Sequence, residues 1–314
     1  MSTVFVVGSL NIDQNVRVSS LPRAGETVRG TDATFSPGGK GGNQAVAAAR
    51  AGAHVKFTGA VGDDPHGRRI LDVLSDARID HTQLRVVGNA PTGTAIIAVD
   101  DRGENQIIVS PGANSSLTAD DVEAGLGAMQ AGDILVLQLE IASVLVRQAA
   151  AVARSRGAFV ILNAAPAPGR IDGLLDDVDL LVVNEQEIRA VAEILGMPPG
   201  NHLELVQSLP PVLGAAIVCT AGAEGSFAVL DGGLVHVPAS AAAAVDTTGA
   251  GDTFVGYLAA SLLATPGDLA GAMRRASSAA ALAVTRTGAM ESIPWQQELQ
   301  AAPTSALPTN FVSN

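Results

Sequence analysis

Val4-Phe5-Val6-Val7-Gly8-Ser9-Leu10-Asn11-Ile12-Asp13 couples an unbroken apolar run to a glycine and then to polar side chains. The apolar part does not alternate. A strand of this kind is covered on both faces, as in a parallel sheet between two layers of helices. Comparable runs recur at 55–61, 134–139, 159–162, 180–183 and 216–219. Ala-rich helical stretches separate them, such as 144–156, which Gly157 would stop. Strand and helix in alternation predict a doubly wound, mostly parallel α/β sheet flanked by helices.

Two segments leave that rhythm, about 12–37 and 92–112. They carry Gly, Pro, Thr and Val in the alternation of exposed strands: Val16-Arg17-Val18, Glu26-Thr27-Val28-Arg29, and Thr94-Ala95-Ile96-Ile97-Ala98-Val99. The last reaches Gln106-Ile107-Ile108-Val109 through Asp100-Asp101-Arg102-Gly103, a hairpin pattern. Together they predict a small β-sheet lid inserted in an α/β domain spanning 1–301. Its open edges would need a partner or a substrate to cover them. Residues 302–314 read as a frayed tail.

Composition narrows the function. The 314 residues hold 19 Lys+Arg against 31 Asp+Glu, a net charge of −12. That opposes a general nucleic-acid binder, which needs a basic footprint. No apolar run is long enough for a membrane span, and no signal-peptide layout precedes Val4. Cys219 is the single cysteine, so neither an internal disulfide nor a thiolate metal cluster is possible. The expectation is a cytoplasmic protein without nucleic-acid or membrane partners.

Polar residues follow the apolar runs: Asn11 and Asp13, Glu140, Asn163, Asn184 to Glu187, and Thr220. Ligands of open α/β sheets sit beyond those strand ends, so a shared polar rim is expected. Asp246-Thr247-Thr248-Gly249-Ala250-Gly251-Asp252-Thr253-Phe254 leads into a helix with Phe254, Val255, Leu258, Ala259 and Leu262 on one face. Gly249, Ala250 and Gly251 then offer bare amides and the positive end of a helix dipole to an anion. Asp252 is either a cap or a base beside that anion, able to take a proton from an attacking hydroxyl. A second stretch, Ser36-Pro37-Gly38-Gly39-Lys40-Gly41-Gly42-Asn43-Gln44, opens an Ala-rich helix that Gly52 ends. It is not a Walker A, because Gly41 follows Lys40. It is either a tight loop with a solvated lysine or a donor set for hydroxyl and phosphate oxygens.

Gly38-Gly39-Lys40-Gly41-Gly42-Asn43-Gln44 and the 246–254 stretch together resemble the two signatures of the ribokinase-like carbohydrate kinases. Further pieces are similar in order from about residue 4 to Trp295, among them Pro111-Gly112-Ala113-Asn114, Gln138-Leu139-Glu140 and Asn184-Glu185-Gln186-Glu187. The resemblance implies transfer of phosphate from ATP to the 5-hydroxyl of D-ribose. It implies Asp252 as the base and Gly249, Ala250 and Gly251 as the anion hole. Asn11, Asp13, Gly39, Lys40, Asn43 and Glu140 would hold the sugar. Asn184 and Glu187 would order phosphates and water-bound Mg²⁺, and Thr220, Ala221, Gly222, Ala223, Glu224 and Gly225 would pass the nucleotide. Ser277, near the implied adenine pocket, stands where relatives often carry His or Asn. The resemblance also implies a K⁺ site from Asp246, Thr248, Ala283, Arg286, Gly288 and Ser292, mostly through backbone carbonyls. From the exposed β-edges of the lid, a homodimer paired through its lids is expected, covering the sugar from water.

The alternatives are a kinase for another furanose or a nucleoside, and a non-catalytic sugar or nucleotide sensor, for which a base at Asp252 would be superfluous. His54, His66, His81, His202 and His236 are scattered without ligand spacing, Cys219 is expected in the core, and Trp295 is expected to anchor a C-terminal helix.

Overall fold

A computed structural model describes residues 2–301 together with Asn310–Phe311. Its first part runs β1 (Val4–Val7), β2 (Asn11–Arg17), β3 (Thr34–Gly38), α1 (Lys40–Arg50), β4 (Val55–Thr58), β5 (Ala60–Gly62), α2 (Pro65–Asp76), β6 (Arg85–Val87), β7 (Gly93–Val99) and β8 (Asn105–Ser110). The middle follows as α3 (Ala119–Gly125), β9 (Ile134–Leu137), α4 (Ser143–Ser155), β10 (Phe159–Asn163), β11 (Leu180–Asn184), α5 (Glu185–Ile194), α6 (His202–Ser208) and α7 (Pro210–Leu213). The last part is β12 (Ala216–Thr220), β13 (Ser226–Leu230), β14 (Gly233–Val237), α8 (Ala250–Ala264), α9 (Leu269–Ala283), α10 (Gln296–Ala301) and β15 (Asn310–Phe311).

The main sheet has the order β15-β14-β13-β12-β11-β10-β9-β1-β4. From β4 to β12 every pairing is parallel; β13, β14 and β15 add an antiparallel edge. The unbroken apolar runs are explained by their two faces. Val4, Val6, Val136, Ile161 and Val182 pack into one core with residues of α1, α2, α8 and α9. Phe5, Val7, Leu135, Leu162 and Leu181 pack into the other with α3, α4, α5 and α6. Each such side chain, fully buried, contributes roughly 1.5–3 kcal/mol relative to exposure. Gly52 and Gly157 end α1 and α4 with φ 101° and 71°, as the sequence predicts.

The chain leaves β1 for β4 on one side and later returns to place β9 on the other. The strand order therefore reverses between β1 and β9, the kind of place at which open α/β sheets bind ligands beyond the carboxyl ends of their strands. The predicted lid starts from that end of β1, since β2 begins at Asn11 just after Val7. Its sheet has the order β3-β2-β7-β8, drawn from both inserted segments, and β7 and β8 form the expected hairpin.

Several expectations are corrected. The run 55–61 is two strands: β4 ends at Thr58, and β5 leaves the main sheet to pair with β6. Glu26-Thr27-Val28-Arg29 is not a strand; only a bridge between Val18 and Gly30 marks that stretch. Helix α8 has no single apolar face, because every residue from Asp252 to Leu262 is buried; a helix apolar all round belongs in the interior. Of the tail 302–314, Asn310–Phe311 pairs with β14; the rest lies outside the described residues. Cys219 is buried, as expected. Trp295 precedes α10 and lies 5.3 Å from the Arg50 guanidinium, though it is 42% exposed. Among the described residues, no helix is long and apolar enough to cross a membrane.

Candidate active site

Helix α8 starts at an uncapped end. Gly249 occupies the cap position with φ 74°, in the left-handed region that favours glycine, and no side chain caps the helix. Its first amides are thus bare of side-chain partners, as an anion site requires. Of the expected cradle, the Ala250 N–H turns back to the Thr247 carbonyl at 3.2 Å. Asp252 lies in the first helical turn and is buried. Its Oδ2 accepts from Asn43 Nδ2 at 2.8 Å and its Oδ1 from Gln44 Nε2 at 2.8 Å. Both donors sit on α1. The two helices approach closely at Gly256, where a Cβ would stand 2.4 Å from that of Ala47.

Lys40 begins α1, so Gly41 and Gly42 lie within the helix rather than in the loop before it. Gly39 is the residue before it, with φ 88°. Glu140 follows β9; one carboxylate oxygen accepts from Ser9 Oγ at 2.6 Å and from the Lys40 backbone N–H at 3.0 Å. The Glu140 carboxylate thereby ties the β1 end to the start of α1 across the strand-order reversal. Asn11 and Asp13 are buried in β2, at the root of the lid. Asn114 Nδ2 donates to Asn11 Oδ1 at 2.9 Å and to the Leu10 carbonyl at 3.0 Å. With its oxygen so engaged, the Asn11 amide presents its NH₂ elsewhere.

The charges are unevenly compensated. Burial, followed by Glu140, Asp252 and Glu291, pushes the Asp13 carboxyl up to about 7, against the pull of Lys40. Asp252, more than any other group, holds the Lys40 ammonium above its ordinary range, with burial working against it. A hydroxyl-rich ligand suits this cluster, since it can satisfy carboxylates without adding charge.

A cavity of about 140 Å³ lies beside Asp252. Lys40, Gly249, Gly251, Asn163, Asn184, Glu187 and Thr220 line it with Asp252 itself. Asn184 and Glu187 form a capping box on α5: Asn184 Oδ1 accepts from the Gln186 and Glu187 N–H groups, and Glu187 Oε2 accepts from the Asn184 N–H. Burial pushes the Glu187 carboxyl up, partly offset by that N–H and by Lys40. A larger hollow of about 430 Å³ lies within the lid segments, beside Arg23 and Arg102, and joins none of the predicted site residues.

Thr220 reaches the cavity; the following turn, Ala221 to Gly225, closes on itself through the Ala221 N–H and Gly225 carbonyl at 2.8 Å. Glu224 faces His202, 3.5 Å away. Ser277 is buried in α9, with its hydroxyl 3.4 Å from the Pro238 carbonyl, and does not line the cavity. Asp246 joins the two stretches of the expected cation site: Oδ1 accepts from the Thr248 N–H at 2.9 Å and Oδ2 from the Gly288 N–H at 3.0 Å. Burial would raise its carboxyl, but hydrogen bonds from Thr248 and Gly288 prevail and hold it low. Ala283 and Ser292 are buried nearby in sequence to that junction, and the Arg286 guanidinium is paired with Glu298. Sequence reasoning missed Ser9, Gln44 and Asn114 as site partners. All stand inside quoted motifs, but nothing in their spacing tells whom they face.

A bare helix end, a carboxylate in its first turn and a rim suited to hydroxyls meet in one crevice, which is the layout of a small-molecule phosphotransferase. The chain belongs to the pfkB family of carbohydrate kinases, whose pattern matches residues 1–296. It is 37% identical over 300 residues to the ribokinase of Haemophilus influenzae, covering 94% of this chain and 96% of that protein. It is 36% identical over 300 residues to the ribokinase of Bacillus subtilis, covering 96% and 99%. The fold matches Arabidopsis thaliana ribokinase complexed with ribose and ATP at a TM-score of 0.84 and 32% identity, covering 96% of this chain and 98% of that one.

Proposed function

We propose that this chain transfers the terminal phosphoryl group of ATP to the 5-hydroxyl of D-ribose, giving D-ribose 5-phosphate and ADP. The observation that carries the reading is the buried Asp252 carboxylate in the first turn of an uncapped helix, within one crevice of the Asp13–Lys40–Glu140 cluster. In the reaction, the sugar oxygen bonds to the terminal phosphorus, the bond to the bridging oxygen breaks, and Asp252 takes the hydroxyl proton. The amides of Gly249 and Gly251 at the uncapped helix start face the charge on the transferring group, and the Ala250 N–H joins them on leaving the Thr247 carbonyl. Asn11, Asp13, Gly39, Lys40, Asn43 and Glu140 hold the sugar hydroxyls. A site of this type rejects a sugar lacking a hydroxyl, because its own buried polar groups would be left unpaired. Thr220 to Gly225 and Ser277 border the nucleotide.

Among the described residues, no group of three or more His, Cys, Asp or Glu side chains could hold a metal. A Mg²⁺ ion held mainly by water and phosphate oxygens fits such a site, with Asn184 and Glu187 as its ordering groups. When bound, it supplies neutralisation of the phosphate charge. K⁺ is placed by the same reading where Asp246 joins Thr248 to Gly288, held mostly by backbone carbonyls of Ala283, Arg286, Gly288 and Ser292. Bound K⁺ supplies positive charge beside the turn that presents the helix end. A coupled assay of sugar-dependent ADP release tests both points. Ribose is expected to turn over faster than fructose or a nucleoside, and replacing K⁺ by Na⁺ or a large organic cation is expected to lower the rate. Faster turnover of a nucleoside would overturn the substrate; equal rates in all salts would overturn the K⁺ role.

The lid supports a homodimer. β8 is exposed along its whole length, and Ile96 and Ile108, cross-strand partners, are 43% and 67% exposed. Such an apolar edge needs a cover, and a second lid supplies one that also keeps water from the sugar. Light scattering at micromolar concentration is expected to give the dimer mass; a monodisperse monomer would contradict the pairing. ATP as substrate and a buried thiol at Cys219 support a cytoplasmic site of action.

A further inference from the structure

Gln44 is fully buried on α1, yet its amide ends on the Asp252 carboxylate. Its Nε2 donates to Asp252 Oδ1 at 2.8 Å and to Asn163 Oδ1 at 3.0 Å. Asn163, at the end of β10, donates its Nδ2 to the Val182 carbonyl at 3.1 Å. A carbonyl only accepts, so Asn163 must turn its NH₂ toward Val182 and its oxygen toward Gln44. That oxygen in turn requires a donor. The Gln44 NH₂ has two hydrogens, one for Asn163 and one for Asp252. The amide orientation is therefore dictated from the sheet backbone outward, and it ends with an N–H aimed at the carboxylate. The α1–α8 contact is tight just here: a Cβ on Gly256 would stand 2.5 Å from the Gln44 backbone oxygen.

We propose that Gln44, braced by Asn163, is the positioning residue of the phosphoryl-transfer step: it fixes the Asp252 carboxylate in one rotamer while the sugar is bound. The proposal rests on Asp252 being the base. Asn43 holds the other oxygen and is also placed to bind sugar, its Oδ1 being buried without a partner. Gln44 is fully buried and does not line the cavity, so both of its N–H bonds stay within the protein.

The test compares wild type with Gln44→Leu, Asn163→Leu and the double variant, using the full chain with ribose, MgATP and K⁺. The readout is kcat at saturating ribose, with ribose KM alongside. Lys40 on α1, Asp13 on β2 and Glu187 on α5, charged neighbours of Asp252, are unchanged in all variants. Gln44→Leu is expected to lower kcat roughly 10- to 100-fold, as for loss of a hydrogen bond to a charged group. Ribose KM should stay within about 3-fold, the latitude of a site whose sugar-binding groups are intact. Asn163→Leu should lower kcat by less, again with ribose KM nearly unchanged, and the double variant should match Gln44→Leu rather than the product of the two effects. Equal losses in kcat and affinity, or multiplicative effects, would overturn the proposal. Should Gln44→Leu fail to fold by thermal melting, the kcat-against-KM split of Asn163→Leu decides alone. Full activity of Asp252→Asn would instead overturn the base itself, so the two failures are distinguishable.

Discussion

Asp252→Asn is expected to lower kcat by roughly two to four decades, the usual contribution of a positioned general base, while ribose still binds. The substitution keeps the shape of the side chain and removes its ability to take a proton. It also meets a local conflict. Asn43 and Gln44 aim one N–H donor at each oxygen of Asp252, and an asparagine supplies only one acceptor. Gln44 is locked by Asn163, so Asn43 is the donor expected to turn away. Ribose affinity by calorimetry should therefore weaken, by roughly 10-fold or less for one altered hydrogen bond. Unchanged turnover would refute the assigned role and favour a sensor that merely binds sugar.

Asp13→Asn should separate function from stability. Ribose KM is expected to rise by roughly 10- to 100-fold, the loss of a charged hydrogen-bonding partner for hydroxyls. The ligand-free protein should become more stable. The sign follows from the Asp13 carboxyl, pushed up to about 7 from an ordinary 3.8. Between those values the folded chain holds a proton that the unfolded chain has released. Stability is therefore lost as pH rises through that window, and the loss is complete above pH 7. Asparagine carries no such loss. At pH 8 the variant should gain about 1–3 kcal/mol, discounted for coupling among the carboxylates, and the gain should vanish toward pH 4. Thermal melts across pH check this. A lower melting temperature at pH 8 with unchanged ribose KM would contradict it. In the wild type, the same group should make kcat/KM for ribose rise as pH passes 7.

The sequence exposes the sheet because burial on both faces leaves a mark that needs no partner to interpret: Val4 to Val7 must be covered twice. It exposes the helix end at Gly249 for a similar reason, since glycine, backbone turn and first-turn carboxylate are neighbours in the chain. The break after Thr58 is less visible, because β4 and β5 read as one apolar run although they belong to different sheets. Glu26 to Arg29 alternates like a strand but finds no ladder beyond the bridge at Gly30. What the sequence hides is cross-chain electrostatics. Asp13 owes its displaced titration to burial first and then to Glu140, Asp252 and Glu291. Gln44 meets an aspartate 208 positions away. No local pattern encodes such meetings; the crossing of α1 and α8 creates them.

The most direct measurement is a crystal structure with ribose and a non-hydrolysable ATP analogue. The 5-hydroxyl should lie within hydrogen-bond reach of Asp252, about 2.6–3.2 Å, with the terminal phosphorus in line beyond it against the amides of Gly249 to Gly251. A terminal phosphate or a sugar hydroxyl settled elsewhere, with Asp252 facing neither, would contradict the account.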